Sequence, residues 1–144
     1  MSYSTACLAY GILAFVLIPW ITGCQSPGPA NAIQADLIPL QGRWEGSGAG
    51  GPCFITISGD TLSYQAGSNW WKTTFTLPAQ TNPQQLHATI RESSPPTNGI
   101  GTVVFAIFKI EKDTLTLAEI DGGDQAPKSF DAAASVYVLN KVVR

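Results

Sequence analysis

Gln84-Gln85-Leu86-His87-Ala88-Thr89-Ile90-Arg91-Glu92 decides the fold. Leu86, Ala88 and Ile90 alternate with Gln85, His87, Thr89 and Arg91, so an extended chain presents one apolar face and one polar face. A helix would scatter the same three apolar residues around its axis. The neighbouring stretches repeat this period. Trp71, Thr73, Phe75 and Leu77 alternate with Trp70, Lys72, Thr74 and Thr76. Leu62 and Tyr64 share a face, as do Cys53, Ile55 and Ile57. Gly59-Asp60, Gly67-Ser68-Asn69 and Glu111-Lys112-Asp113 are turn chemistry between such runs. Pro78 and Pro83 bracket a loop, because proline cannot donate to a central ladder.

Working outward, strands are predicted at Leu40–Gly46, Cys53–Ser58, Thr61–Ala66, Trp70–Leu77, Gln84–Glu92, Thr102–Ile110, Thr114–Ile120 and Ser135–Val142. Thr102–Ile110 is apolar on both faces and is expected to be the most central strand. No window offers an amphipathic helix of ten residues, although a short helix or turn fits Lys128–Ala134. An antiparallel meander of eight strands closes naturally into an up-and-down barrel, which removes its edges. A β-sandwich of the same strands is the alternative.

The chain has 144 residues, enough for one domain. Eight Lys+Arg against ten Asp+Glu give a net charge of -2, so no basic stripe for nucleic acid is present. Apolar residues make up 44%, which excludes wholesale disorder. One His and three Cys leave little material for a metal or catalytic constellation.

The first charged side chain is Asp36. Before it, the apolar run Leu8–Ile18 is too short to span a bilayer but fits a signal-peptide core. Ile21-Thr22-Gly23-Cys24 then resembles the bacterial lipoprotein signal: a branched apolar residue, a small residue, glycine and cysteine. That resemblance implies acylation of the Cys24 thiol, cleavage before it, and anchoring of the chain to a membrane through its lipid. Gln25, in place of Asp, implies onward transport to the outer membrane in a diderm cell. One departure from the pattern is that no Lys or Arg precedes the apolar run. The expected organisation is a signal peptide over 1–23, a flexible tether over 24–36 and a barrel domain over 37–144.

Gly42-Arg43-Trp44, at the start of the first strand, resembles the lipocalin Gly-x-Trp motif. In that superfamily the tryptophan plugs the barrel floor beneath a basic residue near the last strand, a role the resemblance gives to Lys141 or Arg144. The wider order "LQGRW", "ITISGDTL", "FTLPAQTNPQQLHA", "GTVVFAIFKIEKDTLTL", then Pro127 and Phe130, is similar to a lipocalin-like family of small uncharacterised domains from planctomycete-type bacteria. Phe108 stands where that family often has Tyr, and Ala126 where it often has Arg. The resemblance implies a fold and no reaction.

Candidate chemistry is sparse. Gly46–Gly51 (GSGAGG) matches a dinucleotide fingerprint in letters, but a strand follows it rather than a helix, so it reads as a hairpin loop at a barrel mouth. His87 falls on the polar face of its strand, and Cys53 is in phase with Ile55 and Ile57 as a buried, inert thiol. Those phases do not favour a Cys53–His87 nucleophile pair. Glu119, Asp121 and Asp124 around Gly122-Gly123 read as solvating acids at a turn rather than a cation site. The aromatic concentration is Tyr64, Trp70, Trp71 and Phe75. Adjacent Trp70 and Trp71 must face opposite ways on a strand, so one belongs to the interior and one to the outside. These four are the candidate contacts for a small apolar ligand or an envelope protein.

The expectation is therefore a lipid-anchored, non-enzymatic domain of the cell envelope without cofactor, metal or nucleic acid. It would bind a small apolar ligand or an envelope partner. The alternative is a solidly packed structural or interaction lipoprotein, such as an inhibitor of a periplasmic enzyme. An enzyme is disfavoured because no nucleophile–base pair can be named.

Overall fold

The computed structural model describes residues 36–96, 99–120 and 122–143. Cys24, Arg144, Asp121, the signal peptide and most of the tether lie outside the described residues. Within them the chain forms eight strands: β1 Gly42–Gly48, β2 Gly51–Ser58, β3 Thr61–Ala66, β4 Asn69–Thr76, β5 Gln84–Ser94, β6 Val103–Glu111, β7 Thr114–Glu119 and β8 Ser135–Lys141. Each strand pairs antiparallel with the next, and β8 pairs back with β1 through Trp44↔Lys141 and Gly46↔Leu139. The sheet is a closed up-and-down barrel, and the sandwich alternative is excluded.

The two-residue alternation sorts the wall into inside and outside. On β2, Cys53, Ile55 and Ile57 are buried while Phe54, Thr56 and Ser58 are exposed. On β5, Leu86, Ala88 and Ile90 are buried as the pattern requires. Thr73 also points inward, and its hydroxyl donates to the Leu62 carbonyl at 3.1 Å, so the one hydroxyl on that face of β4 is satisfied.

Two ends differ. At one end lie the turns β2–β3, β4–β5 and β6–β7, with residues 36–40 as a short helical turn across the opening. Leu40 is fully buried, and Gln41 stitches this turn to the β2–β3 turn by donating to the Gly59 carbonyl and accepting from the Gly59 N–H. The first strand therefore begins at Gly42 rather than Leu40, because Leu40 is spent as a plug and not as a strand residue. Below this cap Trp44, Ile57, Phe75, Leu77, Phe108, Leu115 and Leu139 fill the barrel solidly. The other end carries the β1–β2 and β3–β4 turns and the long β5–β6 and β7–β8 loops, and it is open.

Two local features depart from the sequence expectation, and one meets it. β6 is not more central than its neighbours, since a closed barrel has no centre strand. Its outward Ile107 and, in part, Phe105 are covered instead. The β7–β8 loop crosses outside β5 and β6, so that Asp124–Lys128 face Gln85, His87 and Phe105, and Lys109 Nζ lies 5.6 Å from the Phe130 ring centre. Ile107, outward between Phe105 and Lys109, is fully buried, as is Pro127 of the loop. A 3-10 turn, Phe130–Ala132, sits where a short helix or turn was expected. Finally, β5 runs to Ser94 with a bulge at Arg91: Lys72 pairs Glu92 while Thr73 pairs Ile90. The extra residue shifts the phase by one and turns Ser93 inward.

Candidate functional site

The open half of the barrel is a cup of about 760 Å³. It exists because the inward positions there are small. Ala66, Ala88 and Ala106 line it, and Gly46 and Gly48 occupy the matching positions of β1. A Cβ at Gly46 would fall on the Val138 carbonyl, and one at Gly48 on the Tyr137 ring. Glycine thus lets β8 approach closely and leaves room for Tyr137 to lie across the inner wall. Ile55, Leu62, Leu86 and Leu117 make the lower lining.

Near the rim the lining changes character. Tyr64 from β3 lies between Trp71 of β4, with ring centres 5.4 Å apart, and Tyr137 of β8, at 5.6 Å and nearly edge-on. The Tyr137 hydroxyl donates to Glu119 Oε1 at 2.7 Å. Glu119 ends β7 and points inward in phase with Leu115 and Leu117. Burial, the Glu119 charge and the hydrogen bond to Glu119 push the Tyr137 phenol well above its ordinary 10.0. Burial, with Cys53 next, likewise pushes Tyr64 up. Both phenols are therefore neutral donors at physiological pH, and Glu119 is the one acidic residue among the described residues of the lining.

The candidate residues of the sequence separate. Tyr64 and Trp71 line the cup. Phe75 is buried in the solid layer beneath it, and Trp70 stands on the outer wall, 40% exposed. Trp70 aligns through Gln65 with outward Phe54, whose ring lies 5.1 Å from the Arg43 guanidinium. Gly42 adopts φ +119, open to glycine but strained for other residues, and a Cβ there would touch Lys141 Cε at 3.4 Å. Trp44 is fully buried at the closed end with Lys141 Nζ 5.1 Å from its ring centre. Arg144 lies outside the described residues.

Other candidates do not meet. Cys53 is buried inside, its thiol pushed up by burial. His87 is on the outer wall, hydrogen-bonded to Gln85 at 3.1 Å and edge-on to Phe105, so the barrel wall separates the two. Glu119 faces the cup whereas Asp124 faces the outer crevice, and among the described residues no group of three His, Cys, Asp or Glu could hold a metal ion. Sequence reading placed Glu119 in a turn cluster and passed over Tyr137. The available signal was phase: an acid two residues after Leu117, and a tyrosine two before Leu139, are both inward on their strands. No family model, curated protein or solved structure matches this chain, so its chemistry is read from its own residues.

Proposed function

We propose that this chain is a lipid-anchored, lipocalin-like domain of the cell envelope that binds a small apolar ligand and catalyses no reaction. The observation that carries the reading is the cup of about 760 Å³ with its largely apolar walls. Its volume falls among the ~300–1,000 Å³ of small-molecule sites. An open cavity of this size also argues against a solidly packed barrel. The separation of Cys53 from His87 lends no support to nucleophilic catalysis. The anchor rests on Ile21-Thr22-Gly23-Cys24, and Gln25 favours the periplasmic face of an outer membrane in a diderm cell. A second reading, docking of an envelope protein on the outer wall, draws on exposed Trp70 and Phe54, aligned across Gln65.

Native mass spectrometry of the protein purified from its own cells tests the ligand. A retained small molecule is expected, and bare protein that also takes up no apolar probe defeats the reading. Fractionation tests the anchor. Cys24→Ser is expected to release the domain into the soluble envelope fraction, and a variant still membrane-bound with an intact N-terminus defeats the lipoprotein assignment.

A further inference from the structure

The cup has a sign and a direction. Its lower lining is aliphatic: Ile55, Leu62, Leu86 and Leu117 offer no charge to a ligand. One storey up, close to the mouth, three aromatic rings stand together, Tyr64 in contact with both Trp71 and Tyr137. Glu119 is at the same level, at the last residue of β7, holding the hydroxyl of Tyr137. No Lys, Arg or His is among the described residues that line the cavity. An amphiphile entering tail first would lay its tail against the aliphatic floor and leave its head among the rings and beside the carboxylate.

Head groups differ sharply in such a place. A carboxylate or phosphate head would be driven into a partly dry site against Glu119, with no cation among the described lining residues to meet it. A positive head would instead meet the carboxylate and the negative faces of the aromatic rings. The Tyr137 hydroxyl, donating to Glu119, anchors that side chain at the wall of the cup.

Resting on the reading of the cup as a ligand site, we propose that it is selective for amphiphiles with a cationic head, an alkylammonium or similar group held at the rim by Glu119, Tyr64, Trp71 and Tyr137 over a buried apolar tail. The same geometry makes it a poor site for fatty-acid-like anions.

The test is titration of the full chain, followed by tryptophan fluorescence, with dodecyltrimethylammonium, dodecanol and dodecanoate, each below its micelle concentration. The cation is expected to bind at least about tenfold more tightly than dodecanoate, with dodecanol between them. Glu119→Gln keeps an oxygen for the Tyr137 hydroxyl and is expected to bring all three within about threefold of one another. Dodecanoate binding as well as or better than the cation overturns the proposal in the parent chain alone, so that arm does not depend on any variant folding. A folded Glu119→Gln variant that keeps the full cation preference overturns it too. Saturable dodecanol and dodecanoate binding without preference for the cation leaves the apolar-ligand reading standing and this proposal refuted. Absence of saturable binding for all three refutes both.

Discussion

The ammonium of Lys141 lies 5.1 Å from the centre of the Trp44 ring, while the indole N–H of Trp44 donates to the Leu40 carbonyl at 2.8 Å. Lys141 Nζ also reaches the Pro39 carbonyl at 3.4 Å. The helical turn at 36–40 and the start of β1 thus meet the distant end of β8 and close one end of the barrel around a single ring. Truncating that ring removes a fully buried plug and leaves a cavity that its neighbours cannot fill. Trp44→Ala should cost about 3–5 kcal/mol, and Lys141→Ala about 1 kcal/mol, because its head is partly solvated. Thermal melts check this. A Trp44→Ala variant melting within a few degrees of the parent would show that the ring is peripheral to the fold.

The β1–β8 seam is the contact that turns a meander into a barrel, and Gly46 sits at its tightest point. Any Cβ there meets the Val138 carbonyl, which is backbone and cannot swing aside. Gly46→Ala should therefore cost about 1–3 kcal/mol. Gly48→Ala should cost less, because the atoms in its way belong to the Tyr137 ring. Urea midpoints of the two variants give the order, and equal midpoints for parent and Gly46→Ala would place the strands further apart than this register allows.

Burial raises the Cys53 thiol above its ordinary 9.0 and the Tyr64 and Tyr137 phenols above 10.0 in the folded chain. The unfolded chain gives up these protons at lower pH, so above those values it binds fewer protons than the folded one. Stability from these groups is thus whole below about pH 9 and declines as the pH climbs past the ordinary thiol and phenol range. Tyr137→Phe should flatten the decline, since one of the two phenols is gone, while lowering stability at neutral pH through loss of the bond to Glu119. Urea unfolding of both proteins at several alkaline pH values is the measurement. Parallel declines would mean that Tyr137 ionises as freely folded as unfolded.

Much of this architecture was readable before any coordinates. The alternation of Leu86, Ala88 and Ile90 and of Cys53, Ile55 and Ile57 is local, so one strand at a time suffices to see it. That Trp70 and Trp71 face opposite ways needed only their adjacency. What depends on pairing between distant strands was hidden. The apolar outer face of β6 looked like a central strand because the loop that covers it lies well downstream. The bulge at Arg91 changes the phase with no glycine or proline to mark it. The cup is a matter of register: small inward residues on β1, β3, β5 and β6 leave space only because they come to the same level, and no single strand reveals that level.

The same reasoning gives a variant that separates the cup from the fold. Ala66 is half-buried and lines the cavity at the end of β3, opposite Cys53 on the neighbouring strand. Its side chain borders the open cup. Replacing it with leucine should extend apolar atoms into the cup, where small-to-large changes in a packed core normally cost ~1–3 kcal/mol in strain. Here the cup leaves room, so Ala66→Leu should keep stability within about 1 kcal/mol of the parent or raise it, because the added methylenes are buried. Ligand binding should suffer in proportion to the volume lost. We expect uptake of a neutral probe such as N-phenyl-1-naphthylamine to weaken by about tenfold or more. Trp70→Ala, on the outer wall, should leave that binding unchanged. Probe titration and a thermal melt on each variant decide the matter. An Ala66→Leu protein that is strongly destabilised would mean the upper barrel is packed rather than hollow. One that binds the probe as well as the parent would put the probe outside the barrel, and weakened binding in Trp70→Ala would put it on the outer wall.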